Sequence, residues 1–167
     1  MIQGVAGCRR VTVMVKLNTE EKVFLKNLRT QEQMCVDKYK FYAQQAKDPQ
    51  LQQLFGEIGR REERHYNLLS ALMKGEVTPA KNRRSEMVKE YEPKPAYTAK
   101  SKNADKQHDQ FLCTDAIATE KYVAGAYNDD LFRFSMPTVR DLLNTIQTDE
   151  QNHAEMLWKY KMANGMT

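Results

Sequence analysis

Apolar residues recur along this chain at alternating steps of three and four positions, the spacing that places side chains on one face of an α-helix. Pro49 and Pro137 mark the starts of two helices, and Gly75 and Gly165 follow the ends of two. The predicted helices span about residues 19–47, 50–74, 105–134 and 137–163. The pattern therefore predicts an all-α fold, a four-helix bundle built from two helical hairpins.

Two segments lie outside the predicted helices. Residues 1–16 mix apolar and basic residues without the order of a signal peptide, so we expect a disordered leader before a single domain at 17–167. Residues 76–104 form a long crossover between the second and third helices. Residues 81–106 hold eight Lys/Arg against four Asp/Glu, which accounts for the net charge of +4, and we expect a solvated, poorly ordered linker.

Composition excludes several classes of protein. The chain has 167 residues, enough for one domain with a sizeable core. Its three cysteines, Cys8, Cys35 and Cys113, form no CxxC, which indicates buried thiols in a reducing compartment rather than a disulfide framework. No apolar run approaches the roughly 20 residues that cross a bilayer, and no nucleic-acid recognition motif accompanies the basic crossover. We therefore expect no membrane span and no nucleic-acid partner.

The sequence contains an internal repeat with an offset of 88 residues. Adding 88 to a position in the first hairpin gives its counterpart in the second. The matching pairs are Glu32 and Glu120, Tyr39 and Tyr127, Pro49 and Pro137, Glu62 and Glu150, and His65 and His153. The repeat predicts that the two hairpins present the same side chains to a shared interior.

Acidic residues and histidines lie in the middle of the apolar seams that should face the bundle interior. Glu32 lies in the first seam, and Glu62 and His65 lie in the second. The fourth seam carries Glu150 and His153. We read the third seam as Cys113, Ile117, Glu120, Ala124, Tyr127, Leu131 and Phe134.

Four carboxylates in an apolar interior are costly unless they are paired or bind metal. The seams contain no Lys or Arg to pair with them. Hairpin register places Glu32 opposite Glu62 and His65, and Glu120 opposite Glu150 and His153. One Glu from each of two helices, with Glu-x-x-His from each of the other two, is the ligand pattern of dinuclear carboxylate bundles. We therefore predict that these six residues bind two metal ions, iron or manganese.

Simpler interpretations exist for each residue taken singly. A helix rotated by one position would carry Glu62 or Glu150 on the surface, and His65 or His153 would then be a core histidine. Tyr39 and Tyr127 follow a predicted ligand by two helical turns. Each either hydrogen-bonds a liganding carboxylate as a second-shell group or packs in the core with a hydrated hydroxyl.

The ligand motif resembles that of the rubrerythrins. The segment EQMCVDKYKFYAQQA, followed by EERH, places a glutamate, a tyrosine seven residues on, and then Glu-x-x-His. The resemblance implies iron ligation by the same six residues within a ferritin-like fold. Rubrerythrins carry an additional glutamate one turn before the third-helix ligand, where this chain has Ile117. The chain also contains no CxxC of the kind that a rubredoxin-like electron-transfer module would need.

Longer segments resemble the spore coat protein F-like (coat F domain) family of the ferritin-like superfamily. They are LNTEEKVFLKNLRTQEQ, KYKFYAQQAKDPQLQQLF, HYNLLSALMKG and DEQNHAEMLWKYKMANGM. The resemblance covers about residues 17–75 and 109–166 and implies a spore coat protein connected with sporulation, located in the spore coat or the cytoplasm.

Two functions from different classes follow. The first is a dinuclear metal protein with oxidase, peroxidase or ferroxidase activity toward O₂ or peroxide. The second is a structural coat component that associates with itself or with other coat proteins, in which the metal is stabilising or vestigial.

Overall fold

The computed structural model describes residues 12–78, 86–98 and 103–166. In chain order, the elements are β1 (Val13–Met14), α1 (Thr19–Gln45), α2 (Pro49–Met73), β2 (Glu76–Val77), α3 (Glu86–Glu90), α4 (Ala104–Leu131) and α5 (Pro137–Ala163). α1 packs against α2, and α4 packs against α5, so the molecule consists of two helical hairpins joined face to face. The predicted all-α, ferritin-like bundle with a crossover between its second and third long helices is confirmed.

Local sequence signals fix the ends of the first hairpin's helices. The Asn18 side chain accepts a hydrogen bond from the backbone N–H of Glu21 at 2.9 Å, and the Glu21 carboxylate accepts one from the N–H of Asn18 at 2.8 Å. This reciprocal capping box satisfies two amides that have no partner within the helix. Asp48 caps α2 by accepting from the N–H of Gln50 at 3.1 Å, and Pro49 occupies the first helical position.

The inward seams of α1, α2 and α5 are buried as predicted, whereas three of the seven predicted seam positions of α4 (Ile117, Ala124 and Leu131) are only half-buried. Ala116 and Val123 are fully buried, while Ile117 and Ala124 are only half-buried. In the observed rotation of α4, the Lys38 ammonium of α1 donates hydrogen bonds to Asp115 and Thr119, and the Tyr42 hydroxyl also donates to Asp115. Residues 116 and 117 are both apolar, and so are residues 123 and 124. The spacing of apolar residues therefore fits either of two rotations of the helix, which differ by 100°.

The crossover is more structured than predicted. It contains α3, and residues 91–98 form no helix or strand but are held by hydrogen bonds at several points. The buried side chain of Asn164 accepts hydrogen bonds from the backbone N–H groups of Ala96 and Tyr97, at 2.7 and 2.9 Å. The Tyr97 hydroxyl donates to Asp109 at 2.9 Å. These polar contacts join segments far apart in sequence, which is why composition alone suggested a loose linker. Residues 79–85 and 99–102 lie outside the described residues.

The end of the predicted leader is also structured. Val13 and Met14 pair antiparallel with Val77 and Glu76, and the Val15 side chain is buried. The N–H of Val15 donates to the carbonyl of Gly75 at 2.8 Å. Gly75 has a φ of +86°, and a side chain there would lie 2.7 Å from the Val15 carbonyl oxygen, so both conformation and space require glycine. Residues 1–11 lie outside the described residues.

Two of the three cysteines lie within the described residues. Cys35 and Cys113 are free, buried thiols, and Cys8 lies outside the described residues. Across residues 12–78, 86–98 and 103–166, no helix combines the length and apolar character that crossing a membrane requires.

Candidate metal centre

Six side chains from the four long helices meet in the middle of the bundle. α1 contributes Glu32, and α4 contributes Glu120. α2 contributes Glu62 and His65, three residues apart and so on one helix face. Their counterparts on α5 are Glu150 and His153. Each of the six side chains is at most 2% exposed, so the cluster is closed to bulk solvent.

The six side chains form two overlapping groups of four. One group is Glu32, Glu62, His65 and Glu150; the other is Glu62, Glu120, Glu150 and His153. Within each group, one donor atom from every member lies within 4.8 Å of the donor atoms of the others. Glu62 and Glu150 belong to both groups. Each group adds one glutamate and one histidine of its own.

The Nδ1 atoms of the two histidines point into the cluster. Nδ1 of His65 lies 3.1 Å from Glu150 and 3.6 Å from both Glu32 and Glu62. Nδ1 of His153 lies 2.8 Å from Glu62, 3.4 Å from Glu120 and 3.9 Å from Glu150. The two imidazole rings stack with their centroids 5.9 Å apart. Both histidines therefore aim the same ring nitrogen at the shared carboxylates.

Many oxygen and nitrogen atoms of this cluster have no hydrogen-bond partner among the described residues. They are both carboxylate oxygens of Glu62 and of Glu150, one oxygen each of Glu32 and Glu120, Nδ1 of His65, and both ring nitrogens of His153. Buried polar atoms without partners cost free energy. The unpaired atoms are oxygen and imidazole donors converging on two points, so the residues fit a dinuclear site for first-row metal ions.

Burial and mutual repulsion raise the pKa of two glutamates of this cluster. Burial raises the pKa of Glu32 from 4.5 to about 7, and the neighbouring His65 only partly offsets it. Burial, followed by the charges of Glu62, Glu120 and Glu32, raises the pKa of Glu150 well above its ordinary range.

The pKa values of Glu62 and the two histidines shift in the direction that favours the charged forms of these side chains. Burial raises the pKa of Glu62, but its contacts with His153 and His65 outweigh burial and lower the pKa below 4.5. Burial lowers the pKa of His153, but Glu62 and Glu120 outweigh it and raise the pKa to about 9. The pKa of His65 likewise ends well above 6.5, because its hydrogen bond to Asp149 and its close contacts with Glu150 and the other carboxylates outweigh burial. Metal ions would replace protons held at these positions.

Tyr39 and Tyr127 contact the cluster from opposite hairpins. The Tyr39 hydroxyl donates to Glu120, and the Tyr127 hydroxyl donates to Glu32. Each tyrosine lies on the same helix as one glutamate of the cluster but hydrogen-bonds the glutamate of the neighbouring helix. The hydrogen bonds therefore join α1 to α4 as well as orienting two carboxylates.

Two further residues lie beside the cluster: the sequence predicted Cys35 only as a buried thiol and gave Asp149 no role. Nε2 of His65 lies 3.3 Å from Asp149, so this aspartate holds the imidazole from the side opposite the cluster. Cys35 lies one turn beyond Glu32, and burial followed by the charges of the four glutamates raises the pKa of its thiol. The repeat gave no signal for either residue, because the counterpart of Asp149 is Arg61 and the counterpart of Cys35 is Val123.

Comparison with known proteins is consistent with this geometry. A model of the rubrerythrin family matches residues 24–161, a stretch that includes all six cluster residues and both tyrosines. No curated protein and no solved structure matches the chain. The family match covers most of the chain and a cluster that fits a dinuclear site, and we conclude that this chain belongs to the rubrerythrin family.

Proposed function

We propose that this protein binds two iron ions, or two manganese ions, and uses them to reduce peroxide or O₂. Glu62 and Glu150 would bridge the ions, Glu32 and His65 would bind one, and Glu120 and His153 would bind the other. The observation that carries the proposal is the pair of four-residue groups that share the two glutamates with unpaired carboxylate oxygens.

The protein's own residues would perform three tasks. Bound metal ions would supply redox chemistry and an acidic site for an oxygen ligand. The buried cluster excludes bulk water, so charge on the reacting oxygen is stabilised by fixed groups rather than by solvent. Asp149 orients His65, while Tyr39 and Tyr127 hold a carboxylate each and place a phenol proton beside the site.

One difference from the rubrerythrins bears on the reaction. Ile117 occupies the position of their additional glutamate, one turn before Glu120, and its side chain is only half-buried. An isoleucine has no donor atom, so the proposed ligand set has one carboxylate fewer. The sequence has no CxxC, and we propose that a separate molecule supplies the reducing electrons.

Metal analysis tests the proposal first. Protein purified without chelator, or reconstituted with Fe²⁺ or Mn²⁺, should contain about two ions per chain by elemental mass spectrometry. The double variant Glu62→Gln with Glu150→Gln should contain almost none, because each bridging carboxylate serves both ions. Glu63→Gln is the matched control, since Glu63 adjoins Glu62 on α2 but has an exposed side chain. Two ions retained by the double variant would overturn the ligand assignment.

Turnover requires a separate measurement. The iron-loaded protein should consume hydrogen peroxide or O₂ with a chemical reductant present, and the double glutamate variant should not. A protein that binds two ions but consumes neither oxidant would leave metal binding intact and refute the redox function.

A spore coat role is the second candidate. It rests on the coat F-like segments and on exposed apolar side chains along α1 and α4, among them Met34, Phe41, Phe111 and Tyr122. Such a surface suits an assembly module whose metal is structural. Sedimentation velocity should then show self-association that weakens in Phe111→Ser with Tyr122→Ser, and a fluorescent fusion should locate to the spore coat in sporulating cells. A monomeric protein absent from the coat would exclude this role.

A further inference from the structure

Aromatic rings form a continuous chain from the metal centre toward the protein surface. Tyr39, which hydrogen-bonds Glu120, has its ring centroid 5.9 Å from that of Phe55. The ring centroid of Phe55 lies 5.5 Å from that of Tyr42, and the centroid of Tyr42 lies 6.2 Å from that of Phe41. Tyr39 and Phe55 are fully buried, whereas the Phe41 side chain is 55% exposed. This aromatic chain thus connects the interior of the bundle with solvent on the side of α1.

Each tyrosine of the chain has a carboxylate placed to take its proton. The Tyr39 hydroxyl donates to Glu120, and the Tyr42 hydroxyl donates to Asp115 at 2.6 Å. Lys38 binds the same Asp115 oxygen at 2.8 Å, and the Asp115 side chain is 40% exposed. The hydrogen bonds from Lys38 and Tyr42 lower the pKa of Asp115, so it is an ionised acceptor in contact with water. A phenol loses an electron more readily when its proton can move along a hydrogen bond to a carboxylate.

The second hairpin does not contain this aromatic chain. The counterparts of Phe55 and Tyr42 in the repeat are Leu143 and Asp130, so neither position offers an aromatic ring in the second hairpin. The six cluster residues are the same in both hairpins, whereas the aromatic chain exists in one. Core packing alone does not require this asymmetry, because the second hairpin fills the same position with leucine.

We propose that Tyr39, Phe55 and Tyr42 form a one-electron relay between an external reductant, received at the surface near Phe41, and the metal centre. This inference rests on the proposed redox function. Tyr39 passes an electron to the centre and its phenol proton to Glu120. Tyr42 then supplies an electron to Tyr39 across Phe55 while its own proton moves to Asp115, and the proton on Glu120 returns to Tyr39.

The relay is reset at the surface. A small one-electron reductant, such as a reduced flavin or iron–sulfur protein, returns an electron to Tyr42, and Asp115 returns the proton. Two passages deliver two electrons. With two protons from solvent they break the O–O bond of one hydrogen peroxide molecule and form two molecules of water.

Radical spectroscopy on variants tests the relay. Iron-loaded protein is mixed with hydrogen peroxide, ferrocyanide is added as the reductant, and samples frozen at intervals are examined by electron paramagnetic resonance. Wild-type protein should form a tyrosyl radical that ferrocyanide quenches rapidly from the surface. Phe55→Leu, which copies the second hairpin, and Tyr42→Phe should each slow quenching at least tenfold, because the radical stays on buried Tyr39. Tyr97→Phe is the matched control, since it also removes a phenol-to-aspartate hydrogen bond, and it should quench within twofold of wild type.

The outcomes separate the relay from the function on which it rests. Unchanged quenching in both relay variants, or peroxide consumption without any tyrosyl radical, would overturn the relay and leave the redox function standing. Absence of both metal binding and peroxide consumption would overturn both. If Phe55→Leu fails to fold by circular dichroism, Tyr42→Phe decides, because Tyr42 lies at the edge of the core.

Discussion

The two hairpins supply the same residues to the metal cluster but surround them differently. Each gives one glutamate and one Glu-x-x-His, related by the 88-residue repeat. Outside the cluster, Nε2 of His65 is held by Asp149, whereas Nε2 of His153 has no hydrogen-bond partner among the described residues. The first hairpin supplies no equivalent of Asp149, because Arg61 stands at that position.

The contrast shows that a symmetric ligand set need not give two equivalent ions. The partner on the far ring nitrogen fixes the orientation of an imidazole and raises its basicity toward a metal. His65 has such a partner, and His153 does not. We therefore expect the ion on the His65 side to bind more tightly than the ion on the His153 side.

Removing either histidine should have the largest effect on this comparison. His65→Ala and His153→Ala should each reduce the metal content from about two ions per chain to about one, measured by elemental mass spectrometry after dialysis. The ion that His153→Ala retains should be the tighter one. His108→Ala is the control, since this histidine lies outside the cluster and contacts the Gln45 carbonyl at 3.1 Å. Retention of the tighter ion by His65→Ala instead would reverse the assignment.

Asp149→Asn should weaken one ion selectively. Loss of the carboxylate behind His65 should lower affinity on that side by about 10–100-fold, the usual effect of removing such a partner. Competition with a chelator of known affinity would resolve the two binding steps. Asp141→Asn, at an exposed position on the same helix, should change neither step. Equal weakening of both ions would show that Asp149 acts through the whole cluster rather than through His65.

Stability of the metal-free protein should fall as pH rises from about 5 to about 9. In the folded state, the pKa of Glu32 rises to about 7 from 4.5, and that of His153 rises to about 9 from 6.5. The folded chain therefore holds more protons than the unfolded chain across this window, so stability is highest on its acidic side and is lost as pH increases.

Scanning calorimetry can measure this loss. The Tm of the metal-free protein should fall by at least about 5 °C across the window, given roughly 2–4 °C per kcal/mol for a chain of this size. Metal loading should flatten the dependence over the range in which the ions stay bound, because ions replace the protons. An equal slope with and without metal would mean that the cluster is not where the protons are held.

Two glycines on α2 should respond in opposite directions by a small amount. A Cβ at Gly59 would lie 3.2 Å from Cβ of Tyr39, whereas one at Gly56 would meet only the flexible end of Arg60 at 3.8 Å. Gly56→Ala should stabilise the protein by up to about 1 kcal/mol through helix propensity. Gly59→Ala should destabilise it by about 1 kcal/mol, because the backbone of α1 has to move. Denaturant unfolding would measure both, and stabilisation by Gly59→Ala would show that the hairpins can separate slightly at no cost.

Much of the fold and the cluster follows from local patterns. Helix ends came from Asn18, Asp48 and the two prolines, because capping and proline conformation act over three or four residues. The six cluster residues followed from seam position, hairpin register and the repeat, and the structure brings them together. The family match supports a dinuclear metal site in general terms.

What sequence missed depends on contacts between distant segments. The pairing of β1 with β2, the fastening of residues 91–98 by Asn164, and the approach of Asp149 to His65 each join positions more than 60 residues apart. The seam of α4 was misread because Ile117 and Ala116 are both apolar, and the rotation depends on contacts with other helices, such as the hydrogen bonds from Lys38 and Tyr42 to Asp115. Periodicity has no access to such choices.

The sharing of Glu62 and Glu150 has a consequence for how the protein assembles. Neither hairpin alone holds a complete four-residue group, since each group draws on both. Each hairpin contains only neighbouring helices and short turns, a local topology that folds fast. A complete four-residue group therefore forms only after the two hairpins meet. In a refolding experiment, the moment of metal uptake would report when one hairpin docks onto the other.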